Sequence, residues 1–69
     1  MKYFLLIVEG DITPVVFGPF KSAAARDERA VIEKRRRGEQ DGIFRMQVRR
    51  DRPEVTPYRA YELDESRLR

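Results

Sequence analysis

Tyr3-Phe4-Leu5-Leu6-Ile7-Val8 is a short run of apolar residues, mostly aromatic or branched, that meets Glu9-Gly10-Asp11 at its far end. Such a run predicts a β-strand with both faces covered. Side chains alternate along a strand, so Phe4, Leu6 and Val8 share one side and Tyr3, Leu5 and Ile7 the other. The remainder of the chain supplies cover for one side only. That imbalance is the main functional lead in the sequence.

Working outward, Gly10 suits a positive φ and Asp11 can bond nearby amides, so Glu9-Gly10-Asp11 predicts a turn. A second strand is expected at about Thr13 to Phe17, antiparallel to the first, with Pro14 placing it at a sheet edge. Gly18-Pro19 is expected to stop it, Phe20 to pack inward, and Lys21 or Ser22 to cap a helix. Ala23 to Arg37 has good helix formers, no Gly or Pro, and Gly38 in the C′ position. Its buried stripe reads as Ala24, Val31 and Ile32 with the stems of Glu28 and Arg35, flanked by Ala23 and Ala30. Glu33 and Arg37 stand four apart as a favourable pair.

The polar loop Glu39-Gln40-Asp41-Gly42 leads to a third strand at about Ile43 to Arg50. There Phe44, Met46 and Val48 form an apolar row, while Ile43, Arg45, Gln47 and Arg49 form a row that is polar and basic after its first member. Asp51-Arg52-Pro53-Glu54 reads as a turn, about Tyr58 to Glu62 as a last strand entered at Pro57, and Leu63 to Arg69 as a frayed tail. The elements give a single α+β domain, ββαββ: a four-stranded antiparallel sheet in the order 2-1-3-4 with one helix on one face. With the apolar rows assigned to the helix side, the uncovered face is expected to show Tyr3, Leu5, Ile7, Ile43, Arg45, Gln47 and Arg49. A patch of that kind predicts a homodimer or partner face.

With 69 residues the chain lies near the size where folding buries only about 60% of the unfolded surface, so a partner would add stability. It has no Cys and no His, which excludes disulfides, thiol chemistry, the common zinc sites and His-based proton relays. The apolar run at the N-terminus is too short to span a bilayer and meets charge, so a cytoplasmic protein without membrane attachment is expected. The net charge is +3, but the distribution is uneven. Lys34, Arg35, Arg36, Arg37, Arg45, Arg49, Arg50 and Arg52 face only Glu39, Asp41 and Asp51 between positions 34 and 52. A positive zone of this kind suits an acidic protein surface or a phosphate backbone.

Each motif has two readings. Lys34-Arg35-Arg36-Arg37, with Arg50 and Arg52, can hold phosphates or carboxylates by forked hydrogen bonds; cations in a last helical turn also simply complement the helix dipole. Tyr3 beside Arg45 and Arg49 has the logic of a base-stacking sheet, without the aromatic signature of RNA-recognition sheets. Asp27-Glu28 and Asp64-Glu65 are adjacent rather than facing, which argues against paired-carboxylate catalysis. No catalytic, cofactor or metal residues are identified, no small-molecule substrate is expected, and the expected function is non-enzymatic.

The apolar first strand, Gly10-Asp11, Val16-Phe17-Gly18-Pro19-Phe20, Ala25-Arg26-Asp27 and Asp41-Gly42-Ile43-Phe44 together resemble small uncharacterised proteins of phages and mobile elements. That resemblance implies an accessory protein, a regulator or inhibitor that binds a host or phage component, and no activity. The opening corner is also similar to peptidoglycan-binding SPOR domains, whose fold requires a second helix that this chain lacks.

Overall fold

The computed structural model describes residues 1–11 and 13–63. Four strands, β1 (Lys2–Ile7), β2 (Val15–Phe20), β3 (Ile43–Arg49) and β4 (Arg52–Pro57), form one antiparallel sheet in the order β2-β1-β3-β4. Among the described residues one α-helix, α1 (Ala23–Arg37), lies on one face, and a 3-10 turn at Ala60–Leu63 packs beside it. The order and the helix limits are those the sequence predicts. Ser22 is the cap: its Oγ accepts from the Ala25 amide at 3.1 Å, while Gly38 closes the helix at φ 79° and donates to the Lys34 carbonyl. Among the described residues no helix is long and apolar enough to cross a membrane.

Two strands differ from their expected limits. β2 does not stop at Gly18-Pro19 but runs through it to Phe20. Tyr3 pairs with Phe20 and Leu5 with Phe17, so three steps on β2 oppose two on β1, an irregularity centred on Gly18 at φ 130°. An edge strand tolerates this bulge and the missing proline amide because half its backbone faces no partner strand. β4 likewise occupies Arg52–Pro57, not Tyr58 to Glu62. The turn before it needs only Arg50 (φ 50°) and Asp51 (φ 65°), with Arg49 and Arg52 already paired. Two consecutive left-handed residues make the primed turn whose twist matches a hairpin. Pro53, read as part of a turn, and Pro57, read as the entry of the last strand, both sit on this edge strand.

The face covered by α1 is the opposite of the one expected. Leu5, Ile7 and Ile43 are buried against Ala30 and Val31 of the helix, with Tyr58 and Leu63 completing the core and Phe17 and Phe20 packed around it. Ala24 and Ile32, placed on the buried stripe by sequence, are exposed. Leu63, expected in a frayed tail, is fully buried, whereas positions 64–69 lie outside the described residues. The segment is tied down by Gln40 Nε2 donating to the Tyr58 carbonyl at 2.8 Å, the Tyr58 hydroxyl donating to Asp27 Oδ1 at 2.8 Å, Lys34 Nζ donating to the Leu63 carbonyl at 3.5 Å, and Arg45 Nη1 donating to Glu62 Oε2 at 2.8 Å. With these contacts the C-terminal segment covers what the thin helix leaves open.

Candidate functional site

The strand register fixes what the other face carries. Leu6 stands opposite Val16 on β2 and Phe44 on β3; Phe4 stands opposite Met46; Met46 stands opposite Val55 on β4. Cross-strand partners share a face, so Phe4, Leu6, Val16, Phe44, Met46, Val48 and Val55 form one apolar surface without a helix above it. Pro53 and Pro57 extend it through their pairing with Val48 and Phe44. Lys2, opposite Val48, is the one charged side chain among these strand positions. The central residues are half-buried by one another, and Val16 and Val55 on the outer strands are 52% and 50% exposed. Small soluble domains rarely leave an apolar sheet face of this extent in water.

The residues expected on that face lie on the other. Leu5, Ile7 and Ile43 are core and present almost no surface. Tyr3 is half-buried with the Arg26 guanidinium 5.4 Å from its ring centre, and Arg45 lies 5.9 Å from the Tyr58 ring while bonded to Glu62. Gln47 Nε2 donates to Glu54 Oε2 at 3.0 Å across β3 and β4. Tyr3 and Arg45 therefore offer no platform for stacking bases. The helix side tolerates Arg45 and Gln47 because Glu62 of the C-terminal segment and Glu54 of β4 accept from them.

The basic residues divide into two groups. At the helix end, Glu33 is buried and collects Arg29 Nε at 3.0 Å, Arg36 Nη1 at 3.4 Å and Arg37 Nε at 3.4 Å; Arg37 also pairs with Glu9. Lys34 is bonded to the Leu63 carbonyl, and Arg35 likewise is not free. Within the chain, this run closes the helix and pairs with neighbouring segments, with Arg35 and Arg36 exposed. Arg49, Arg50 and Arg52, by contrast, are exposed at the β3–β4 hairpin and form no ion pair with the described residues. They line a shallow cleft with Glu54.

Two groups missed in the sequence have shifted titrations. Burial pushes the Tyr58 phenol far up, and its 2.8 Å hydrogen bond to Asp27 Oδ1, together with the Asp27 charge, adds to the shift. The Arg59 backbone amide, donating to Glu62 Oε1 at 2.7 Å, holds the Glu62 carboxyl below its usual range, and Arg45 adds to this. The one sequence signal for this corner was Leu63, an apolar residue in a charged tail. Among the described residues no cluster of His, Cys, Asp or Glu could hold a metal ion. No family model, curated protein or solved structure matches the chain.

Proposed function

We propose that the protein is a small non-enzymatic binding module that pairs with a second copy of itself through the helix-free sheet face and regulates or inhibits a larger partner by direct contact. The observation that carries this reading is the apolar surface of Phe4, Leu6, Val16, Phe44, Met46, Val48 and Val55 with Lys2 as its one charge. A second copy is the favoured occupant for three reasons. The molecule is a slab of 33 × 33 × 17 Å, so its broad face is on the order of the 800 Å² per partner that a stable complex buries. Two such faces stack as a sandwich core does, and a two-fold axis lets the same patch serve both copies. Pro53 and Pro57 on β4 and Pro19 on β2 blunt the sheet edges, which disfavours growth by strand addition.

The hairpin arginines supply a second contact for an acidic protein surface. A cysteine-free chain suits the reducing cytoplasm, and the resemblance to phage-type proteins supports an accessory role. Sedimentation velocity tests the pairing. The wild type is expected at twice 8.2 kDa, and the double variant Val16→Glu/Val55→Glu at 8.2 kDa with an unchanged circular dichroism spectrum. A wild type that stays monomeric up to high concentration, or a double variant that still pairs, removes the proposal.

A second reading rests on Arg49, Arg50 and Arg52 alone: contact with a nucleic-acid backbone. Phosphate contacts weaken steeply with salt, by roughly one log unit of affinity per log unit of salt for each phosphate neutralised, whereas an apolar complex responds little. Binding to a generic duplex at low salt that disappears with this slope would favour nucleic acid over an acidic protein.

A further inference from the structure

The two ends of the sheet differ in free charge. Lys2, Lys21, Arg49, Arg50 and Arg52 gather where β1 begins, β2 ends and the β3–β4 hairpin turns; all five are exposed and form no ion pair with the described residues. At the other end, the Val8 amide donates to the Gly42 carbonyl at 2.8 Å and brings the Glu9 to Asp11 turn beside the loop of Glu39 and Asp41. Asp11, Glu39 and Asp41 are exposed there without an ion pair among the described residues. Resting on the pairing of two copies through the bare face, we propose that the two-fold axis of the pair runs across the strands, so that the basic end of each copy lies over the acidic end of its partner.

When the strands of two facing sheets stay aligned, a two-fold axis between them runs either along the strands or across them. The strand register decides what each choice brings together. An axis along the strands lays β1 over the partner's β3 and β2 over the partner's β4, so Lys2 stands over the end that carries the partner's Arg49, and Lys21 over that of the partner's Arg52. Each of these like-charge meetings occurs twice. An axis across the strands lays every strand over its own copy, turned end for end. Lys2 then stands over the partner's Val8 and the turn that follows it, and the Arg49 end over the partner's Asp41. Lys2 is on the bare face itself and lies nearest the partner; Arg49 and Arg52 rise from the covered row at the rim and act from farther away. Facing sheets lie about 10 Å apart, comparable with the roughly 8 Å over which salt screens a charge, so these ends feel one another.

The other charges near the two ends do not reverse this. Lys34, Arg36 and Arg37 belong to α1 on the covered side, where the Leu63 carbonyl, Glu33 and Glu9 hold them, and Arg35 on the same helix is not free. Arg59 leads into the 3-10 turn that packs on α1 and donates to the Tyr61 hydroxyl at 3.2 Å. At the basic end the carboxylates are Asp51 in the turn and Glu54, which Gln47 of the covered row holds. The crosswise axis therefore sets free cations toward free carboxylates, and the lengthwise axis sets cations toward cations.

The chain has no cysteine, so Asp51→Cys gives each copy a unique attachment point at the tip of the basic hairpin. With a nitroxide there, electron spin resonance is expected to read a separation of about 35 Å in the pair, against about 15 Å for an axis along the strands. The unlabelled wild type supplies a second measurement: raising sodium chloride from about 0.05 M to about 0.5 M is expected to weaken pairing about tenfold in sedimentation. Lys2→Glu/Arg49→Glu should weaken pairing by a similar factor. Adding Asp11→Lys/Asp41→Lys to that variant should restore pairing with itself but not with the wild type. A wild type that stays monomeric removes the pairing and this proposal together. A separation near 15 Å, pairing that salt leaves unchanged or tightens, or a fourfold variant that prefers the wild type to itself would overturn the orientation alone and leave the pairing face standing.

Discussion

Leu5 and Leu6 are neighbours in the chain and lie on opposite faces of the sheet: Leu5 is 0% exposed beneath α1, while Leu6 stands half-buried on the bare face between Val16 and Phe44. The difference has a measurable consequence. Leu5→Ala opens a cavity in a closed core and is expected to cost about 2 to 5 kcal/mol in urea unfolding. Leu6→Ala is expected to cost less in the monomer and to weaken pairing in sedimentation. Equal losses of stability without loss of pairing would contradict the assignment of faces.

The helix begins on one side chain. Ser22 Oγ accepts the Ala25 amide, and no acidic residue occupies the first turn to assist it. Ser22→Ala is expected to lower stability by about 1 kcal/mol, read as a lower urea midpoint with an unchanged slope, and Ser22→Asp to restore it.

The hairpin turn places Arg50 and Asp51 in the left-handed region, where Asn and Gly are at ease. Arg50→Asn/Asp51→Gly is expected to raise stability by about 1 kcal/mol in thermal or urea unfolding. The same change removes one hairpin arginine, so binding to an acidic partner should weaken as the fold gains. Replacing Arg49, Arg50 and Arg52 together by Ala should reduce such binding more than replacing Lys34, Arg35 and Arg36, because the latter cations are already engaged within the chain. The reverse order, measured by calorimetry, would return the helix end to the role of contact surface.

Tyr58 makes stability fall in alkali. Its folded pKa is raised above the ordinary value of 10.0, so the folded state holds a proton that the unfolded chain releases. The contribution is complete below about pH 10 and is lost as pH rises beyond it. Tyr58→Phe is expected to be less stable at neutral pH, because the bond to Asp27 is gone, and to show a flatter decline above pH 10. Glu62 acts with the opposite sign: its depressed pKa gives stability that is present above about pH 4.5 and lost as pH falls, so Glu62→Gln should flatten the acid side. A Tyr58→Phe profile parallel to the wild type above pH 10 would show that its phenol does not control the alkaline decline.

Part of this architecture was legible along the chain because it is local. The helix limits follow from Ser22, the uninterrupted formers of Ala23–Arg37 and Gly38, and the strand order follows from the helix having to return across β1. The limits of β2 and β4 differ from those expected because Gly18-Pro19 reads as a stop and Pro53 as part of a turn, although both strands are already expected at sheet edges, where proline is tolerated.

Which face α1 covers was decided only in three dimensions. Both rows of β1 are apolar, so β1 carries no preference, and on β3 the row of Ile43, Arg45, Gln47 and Arg49 is the more polar one. That row turned inward because the direction of each side chain follows from pairing register and from the handedness of the β2–α1–β3 crossover, not from its own polarity. Glu62, distant in sequence, then pairs with Arg45, while Tyr58 packs beside Arg45 and bonds Asp27 of the helix. That one apolar row lacks cover is legible from the composition of the strands and the thin helix; that this row is Phe44, Met46 and Val48 with their neighbours emerges only on folding, since burial is settled by what the whole chain can bring to a surface.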